Sequence, residues 1–153
     1  MTMADEVSAP TDELEGLLRK LEEAKEALMA AIAEADGERF EEQSPDGESM
    51  KLVLERTSDD VNFYYGRLIA RAVSLPQPPC LPTADFLSLR EAAMALQVAH
   101  RRLTNLLHDL IPADLDRQAV DKELGTYSLR QLLELAAAHY RLRADQIGRL
   151  GRA

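Results

Sequence analysis

The chain has 153 residues, enough for one domain and short for two. Hydrophobic residues make up 46% and charged residues 29%, which excludes collagen-like, disulfide-scaffold and wholly disordered classes. A net charge of −9 argues against a general binder of nucleic acid or of anionic membrane, both of which need clustered Lys and Arg. Aromatics amount to 5% and Trp is absent, so the apolar content rests on Ala and Leu, which suit packed helices better than strands.

The charge is uneven. Residues 1–60 carry 18 acids and 6 bases, whereas residues 61–153 carry 9 acids and 12 bases, the pattern of a solvated acidic first helix packed on neutral or basic neighbours. A lone Cys80 cannot close an internal disulfide, which suits a reducing compartment. Residues 1–10 have neither a signal-peptide core nor a basic start and read as a flexible tail ahead of a single domain over 11–153. No run approaches ~18 apolar residues, so no membrane contact is expected and the expected setting is cytoplasmic.

Taken in chain order, Thr11 or Asp12 can cap a first helix whose stripe runs through Leu14, Leu17, Leu21, Ala24, Leu28 and Ile32 to Asp36-Gly37. A Ser44-Pro45-Asp46-Gly47 turn follows, and Ser49 caps a second helix with Met50, Val53, Leu54, Val61, Tyr64, Tyr65 and Leu68 on its main face. Leu52 and Phe63 lie on a flank of that helix, and Arg56 falls on the same flank, off the main stripe. Pro76, Pro78, Pro79 and Pro82 break the pattern, because each lacks an amide donor. A third helix starts near Thr83 to Ser88, runs through Leu89, Leu96, His100, Leu103 and Leu110, and is expected to end at Pro112. Residues 112–127 read as a loop carrying Gly125, and no strand is expected. Ser128 with Gln131 forms a capping box for a fourth helix along Leu132, Leu133, Ala136, His139, Tyr140, Arg143 and Ile147. The expected fold is an all-α four-helix bundle.

Polar residues on buried faces are the candidates for chemistry. His139 and Arg143 stand one turn apart on the inward face of the fourth helix, and His100 interrupts the third in the same way. A histidine in an apolar stripe is most often a hydrogen-bonded core residue, but a buried arginine must be paired or reach solvent. Cys80 reads as a surface thiol and His108 as a helix-end charge. Asp59-Asp60 point apart, and Phe63-Tyr64-Tyr65 spread over a wide arc, so that one ring can line a pocket. No CxxC, HExxH or glycine-rich phosphate loop occurs.

The segments SMKLVLERTSDDVNFYYGRL (49–68) and IPADLDRQAVDKELGTYSLRQLLELAAAHYRLRADQIGRL (111–150) resemble the second helix and the closing loop and helix of DinB-like (damage-inducible) proteins. The resemblance implies the DinB/YfiT-like metalloenzyme fold. Relatives include thiol-dependent S-transferases and mycothiol-dependent maleylpyruvate isomerase, several holding a divalent metal on a three-histidine or His/Glu triad. Carried over by position, the triad falls on Arg56, His139 and Arg143, and the family's Trp before the helix-start serine falls on Glu48. Arginine has no lone pair to donate and stays charged, so neither Arg56 nor Arg143 can ligate. His100, Glu55, Asp59 and Asp60 do not converge on His139 in the periodicity count.

The expectation is therefore a degenerate member without a metal or other cofactor, with a His/Arg-lined cavity. That cavity either binds a small anion or is closed by ion pairs with Glu134, Asp59, Asp60 or Asp145. One alternative is a zinc- or nickel-dependent thiol transferase or isomerase with an altered ligand set. Another is a homodimeric interaction module seamed by Leu17/Ala24/Ala31 and Ala92/Ala99/Leu106.

Overall fold

In the computed structural model, which describes residues 3–77 and 81–152, serine side chains set three of the helix starts. Ser49 Oγ accepts from Leu52 N at 3.1 Å and opens α2 (Met50–Asp59). Ser88 Oγ accepts from Glu91 N at 3.1 Å and opens α4 (Leu89–Asn105). Ser128 and Gln131 make the reciprocal box expected of them, at 3.1 and 2.9 Å, at the start of α5 (Leu129–Leu150). Each cap satisfies an amide that the first helical turn leaves free.

The remaining long helix, α1 (Met3–Glu34), extends ahead of the Thr11 or Asp12 start expected from sequence. Alanine and acidic residues among 3–9 are compatible with a helix N-terminus. Cys80 lies outside the described residues.

The second helix is not uniform. After α2 the backbone widens into a π-helical segment over Asp60–Tyr65 and returns to α geometry in α3 (Gly66–Ala72). The wide turn is marked by Gly66 N–H donating to Val61 O, five residues back. α4 ends at Asn105, short of the Pro112 limit expected from its stripe. There the bonds from Leu106 N to Leu103 O (3.1 Å) and Leu107 N to Thr104 O (3.0 Å) tighten the chain into turns, so Leu107 and Leu110 lie beyond the helix.

The four helical rods close on one apolar core, with Leu21 and Leu28 of α1, Leu54 and Leu68 of the second rod, Leu103 of α4, and Leu132, Leu133 and Ile147 of α5 all buried. α1 packs chiefly along α5. Both stripes expected to form a dimer seam are spent in this packing. Leu17, Ala24, Ala92 and Ala99 are buried, while Ala31 and Leu106 rest against the same core. A helix enclosed by more than one neighbour needs a broad apolar face, and this accounts for the second stripe. None of the described helices is long and apolar enough to cross a membrane.

Residues 112–127 are a further departure from expectation. They hold a 3₁₀ turn (Pro112–Asp116) and an antiparallel hairpin of β1 (Gln118–Asp121) and β2 (Gly125–Ser128), with Ala119 opposite Tyr127 and Asp121 opposite Gly125. Asp121 builds the hairpin's turn by accepting from Glu123 N and Leu124 N at 2.9 and 3.1 Å. Gly125 sits at φ +101°, which side-chain-bearing residues rarely adopt. Arg67 and Arg71 of α3 reach Asp121 at 3.1 and 3.3 Å, and Arg71 also donates to Val120 O at 2.7 Å. The hairpin is thereby pinned to the second rod, and Tyr127 is carried with it.

Candidate functional site

The π segment faces the middle of α5, and there the expected site residues separate. His139 and Arg143 come together, but Arg56 does not join them. Its side chain is exposed and makes a two-pronged pair with Glu48, at 2.9 and 2.7 Å. Arg56 lies on the outer flank, as the periodicity count had it, and the next residue, Thr57, occupies the inward position about 100° further round the helix. Glu48 answers the arginine's charge at the surface.

His139, Arg143, Thr57, Asp60, Tyr65 and Tyr140 line a cavity of ≈ 10 Å³. That is room for about one water molecule and far too little for an organic anion. Arg143 is answered from within the chain: its guanidinium stands 3.8 Å from Asp60 Oδ2 and donates to Gln146 Oε1 at 2.9 Å. Of the four acids expected as ion-pair partners, Asp60 is the one that meets it. Glu134 and Asp145 are exposed, and Asp59 accepts instead from Ala84 N at 2.9 Å. Glu55 is likewise spent on the proline-rich connection, holding Lys51 at 2.7 Å and Phe86 N at 2.8 Å. His108 is exposed beyond the end of α4.

His139 is held by Tyr65, whose hydroxyl lies 2.6 Å from Nδ1 and 3.4 Å from Leu135 O. Burial holds His139 below the usual imidazole range, with Arg143 pushing the same way against the pull of Asp60. Burial also raises the Tyr65 phenol well above its ordinary range. Both partners are thus held in their neutral forms. Guanidinium offers no lone pair and Arg56 is elsewhere, so His139 is the one nitrogen donor left at the triad position. Among the described residues no three His, Cys, Asp or Glu stand close enough to hold a metal ion. This donor set does not fit the three-ligand metal that the sequence resemblance implies.

His100 is a buried core histidine with a full set of partners. A carboxylate can only accept, so Nε2–H donates to Glu22 Oε2 at 2.8 Å and Nδ1 accepts from the Tyr140 hydroxyl at 2.9 Å. Lys25 backs Glu22 at 3.1 Å. Burial pushes the Glu22 carboxyl up, but His100 and Lys25 together outweigh it and leave it below the ordinary value of 4.5. Burial likewise pushes His100 below 6.5, more than Glu22 restores.

His100 and the half-buried His139 therefore have folded values below their unfolded ones. Between the two values the unfolded chain binds more protons, so stability is full above 6.5 and falls as pH drops through that window. Glu22 adds a second loss below 4.5. Urea midpoints measured across this range should fall on acidification, and His100→Gln should make the first decline shallower. An unchanged slope in that variant would remove His100 from the account.

Outside the closed cavity, Asp60, Tyr64, Tyr65, Tyr127, Leu135 and His139 line an open groove of ≈ 460 Å³, within the size range of small-molecule sites. The π segment makes this groove: bonds spanning five residues let Tyr64 and Tyr65 both stand one turn from Asp60. Tyr64 and Tyr65 meet edge to face with centroids 4.9 Å apart, and Tyr64 meets Tyr127 at 6.5 Å. The Tyr64 hydroxyl donates to that of Tyr127 at 3.1 Å, and burial with this contact pushes Tyr64 up to about 12. The sequence reading allowed one ring of Phe63-Tyr64-Tyr65 to line a pocket, whereas two of them, Tyr64 and Tyr65, line this groove; it passed over Tyr127, whose only signal was an aromatic beside a helix cap. A wider depression of ≈ 670 Å³ lies between the second rod and α4, lined by Asn62, Pro82, Phe86, Met94, Val98 and Arg102. It lacks the convergence of buried titratable groups seen around His139.

No family model, characterised protein or solved structure matches the chain.

Proposed function

We propose that the chain is a DinB-like four-helix bundle in which the family's metal position has been closed, and that it acts without that metal, binding a small molecule in the groove beside His139. The observation that carries the reading is the pairing of both residues at that position inside the chain, His139 with Tyr65 and Arg143 with Asp60 and Gln146, around ≈ 10 Å³ of space. The same closure favours ion pairs over a captured anion as the answer to the inward arginine. The groove of ≈ 460 Å³ supports a binding role, because it shares Asp60, Tyr65 and His139 with the closed position and is wide enough for a ligand.

Metal content of the untagged protein, measured by elemental mass spectrometry, tests the reading, followed by zinc and nickel titration of the chelator-stripped chain. The expected result is no bound metal and no saturable uptake. About one equivalent per chain would overturn it and put the metal-dependent transferase first.

A further inference from the structure

From the make-up of the groove we infer that its ligand is a small organic cation carrying a quaternary or alkylated ammonium group, seated among Tyr64, Tyr65 and Tyr127 beside the Asp60 carboxylate. This names the ligand class for the groove and rests on its being the binding face; it does not depend on the metal question.

Three tyrosines line the groove, and their rings meet at steep angles, 78° between Tyr64 and Tyr65 and 65° between Tyr64 and Tyr127. Each edge-to-face contact covers one face of one ring, and an aromatic face left to the groove attracts a cation whose charge is spread over alkyl groups. The hydroxyls of Tyr64 and Tyr127 are engaged with each other, and that of Tyr65 with His139, so the rings' strongest polar handles are already used.

Charge points the same way. Among the described residues Asp60 is the one carboxylate lining the groove, and no Lys or Arg lines it. His139, also in the lining, is kept neutral by burial. Arg143 lies on the other side of Asp60, in the closed cavity, and draws on that carboxylate from 3.8 Å rather than through a hydrogen bond. Asp60 is 38% exposed and so retains an open side. Leu135 and Leu142, 40% and 50% exposed, supply the apolar flank that alkyl substituents require.

The hairpin holds the third ring in place. A Cβ built on Gly125 would meet Tyr127 Cε2 at 3.4 Å, an ordinary van der Waals contact, so the ring rests over a residue whose positive φ, not lack of space, favours glycine.

The chain has no Trp and four Tyr, three of which line the groove, so intrinsic tyrosine fluorescence reports on this site directly. Choline chloride titrated into the whole protein should give a saturable change, and the uncharged tert-butyl analogue of choline should bind about tenfold more weakly. Tyr127→Leu keeps the burial and removes the π face, and should weaken choline about tenfold; Tyr127→Phe should leave it within about twofold. Asp60→Asn, which keeps the shape of the side chain, should weaken choline and spare the neutral analogue. Equal binding of the two probes, undiminished choline binding in folded Tyr127→Leu, or no saturable response to choline would each overturn the inference. None of those results bears on metal content, which decides the closed-cavity reading separately.

Discussion

A Thr57→His/Arg143→His double variant is expected to take up zinc at about one equivalent per chain, whereas Arg56→His/Arg143→His is not. Thr57, His139 and Arg143 line one closed cavity, and Arg56 is outside it, paired with Glu48. Replacing Arg143 removes a fixed positive charge that would repel a divalent ion and frees the volume of a guanidinium for two imidazoles. The Thr57 hydroxyl donates to Val53 O at 2.7 Å within its own helix, so its loss orphans no distant partner. Inserting a ring at a buried position should still cost about 1–3 kcal/mol of stability in the apo form, and metal binding should return that stability. Isothermal titration with zinc, alongside thermal melts with and without it, decides the matter. Zinc uptake by the Arg56 variant alone would show that Arg56 turns inward after all. Failure of both folded variants would break the correspondence between this cavity and the DinB-like metal position.

The second large effect belongs to the ion pair. Asp60→Ala should destabilise the protein by about 3 kcal/mol, the low end for an unpaired buried charge. Arg143 has 13% of its side chain exposed, and Asp60 stands 3.8 Å away with 38% exposed, so the variant leaves a largely desolvated guanidinium with Gln146 alone. The partial exposure of Asp60 and the length of the contact hold the cost to that end of the range. Adding Arg143→Met should recover most of the loss, because the charge that needed an answer is gone. Urea denaturation of the wild type, both single variants and the double variant gives the coupling directly. A double variant no more stable than Asp60→Ala would mean that the pair does not act as a unit.

The long helices and their serine caps were legible because both are local: a 3.6-residue period and a side chain three residues from its partner amide. His139 and Arg143 were legible as neighbours for the same reason. Arg56 was placed by resemblance, against a periodicity count that put it on the Leu52/Phe63 flank, and the count agrees with its exposure. The hairpin was missed because its strands are four residues each and hold Val120 and Tyr127 as their main β-forming signals, too few to stand out from a loop. It is tied to α3 by Arg67 and Arg71 reaching Asp121 across some fifty residues of chain, which no local pattern shows. The apolar stripes read as a dimer seam could not be told from core, since burial by a second helix and burial by a second chain select the same residues.

The wide turn at Asp60–Tyr65 has a consequence for how related chains would compare with this one. A π-helical turn is what an α-helix becomes when it accommodates one residue beyond its regular count. Deleting a single residue from this stretch would let the rod return to regular α geometry with its cap and core residues intact. The segments on either side would keep their faces toward α5, because the wide turn takes up the extra residue locally. Asp60 would stand three and four residues from the two tyrosines instead of four and five, and the widened turn that makes the groove would be lost. Two chains of nearly identical sequence, differing in length by one here, would thus share a fold and differ in whether the groove exists. For this site, the count of residues between Thr57 and Gly66 is as much a functional determinant as the side chains they carry.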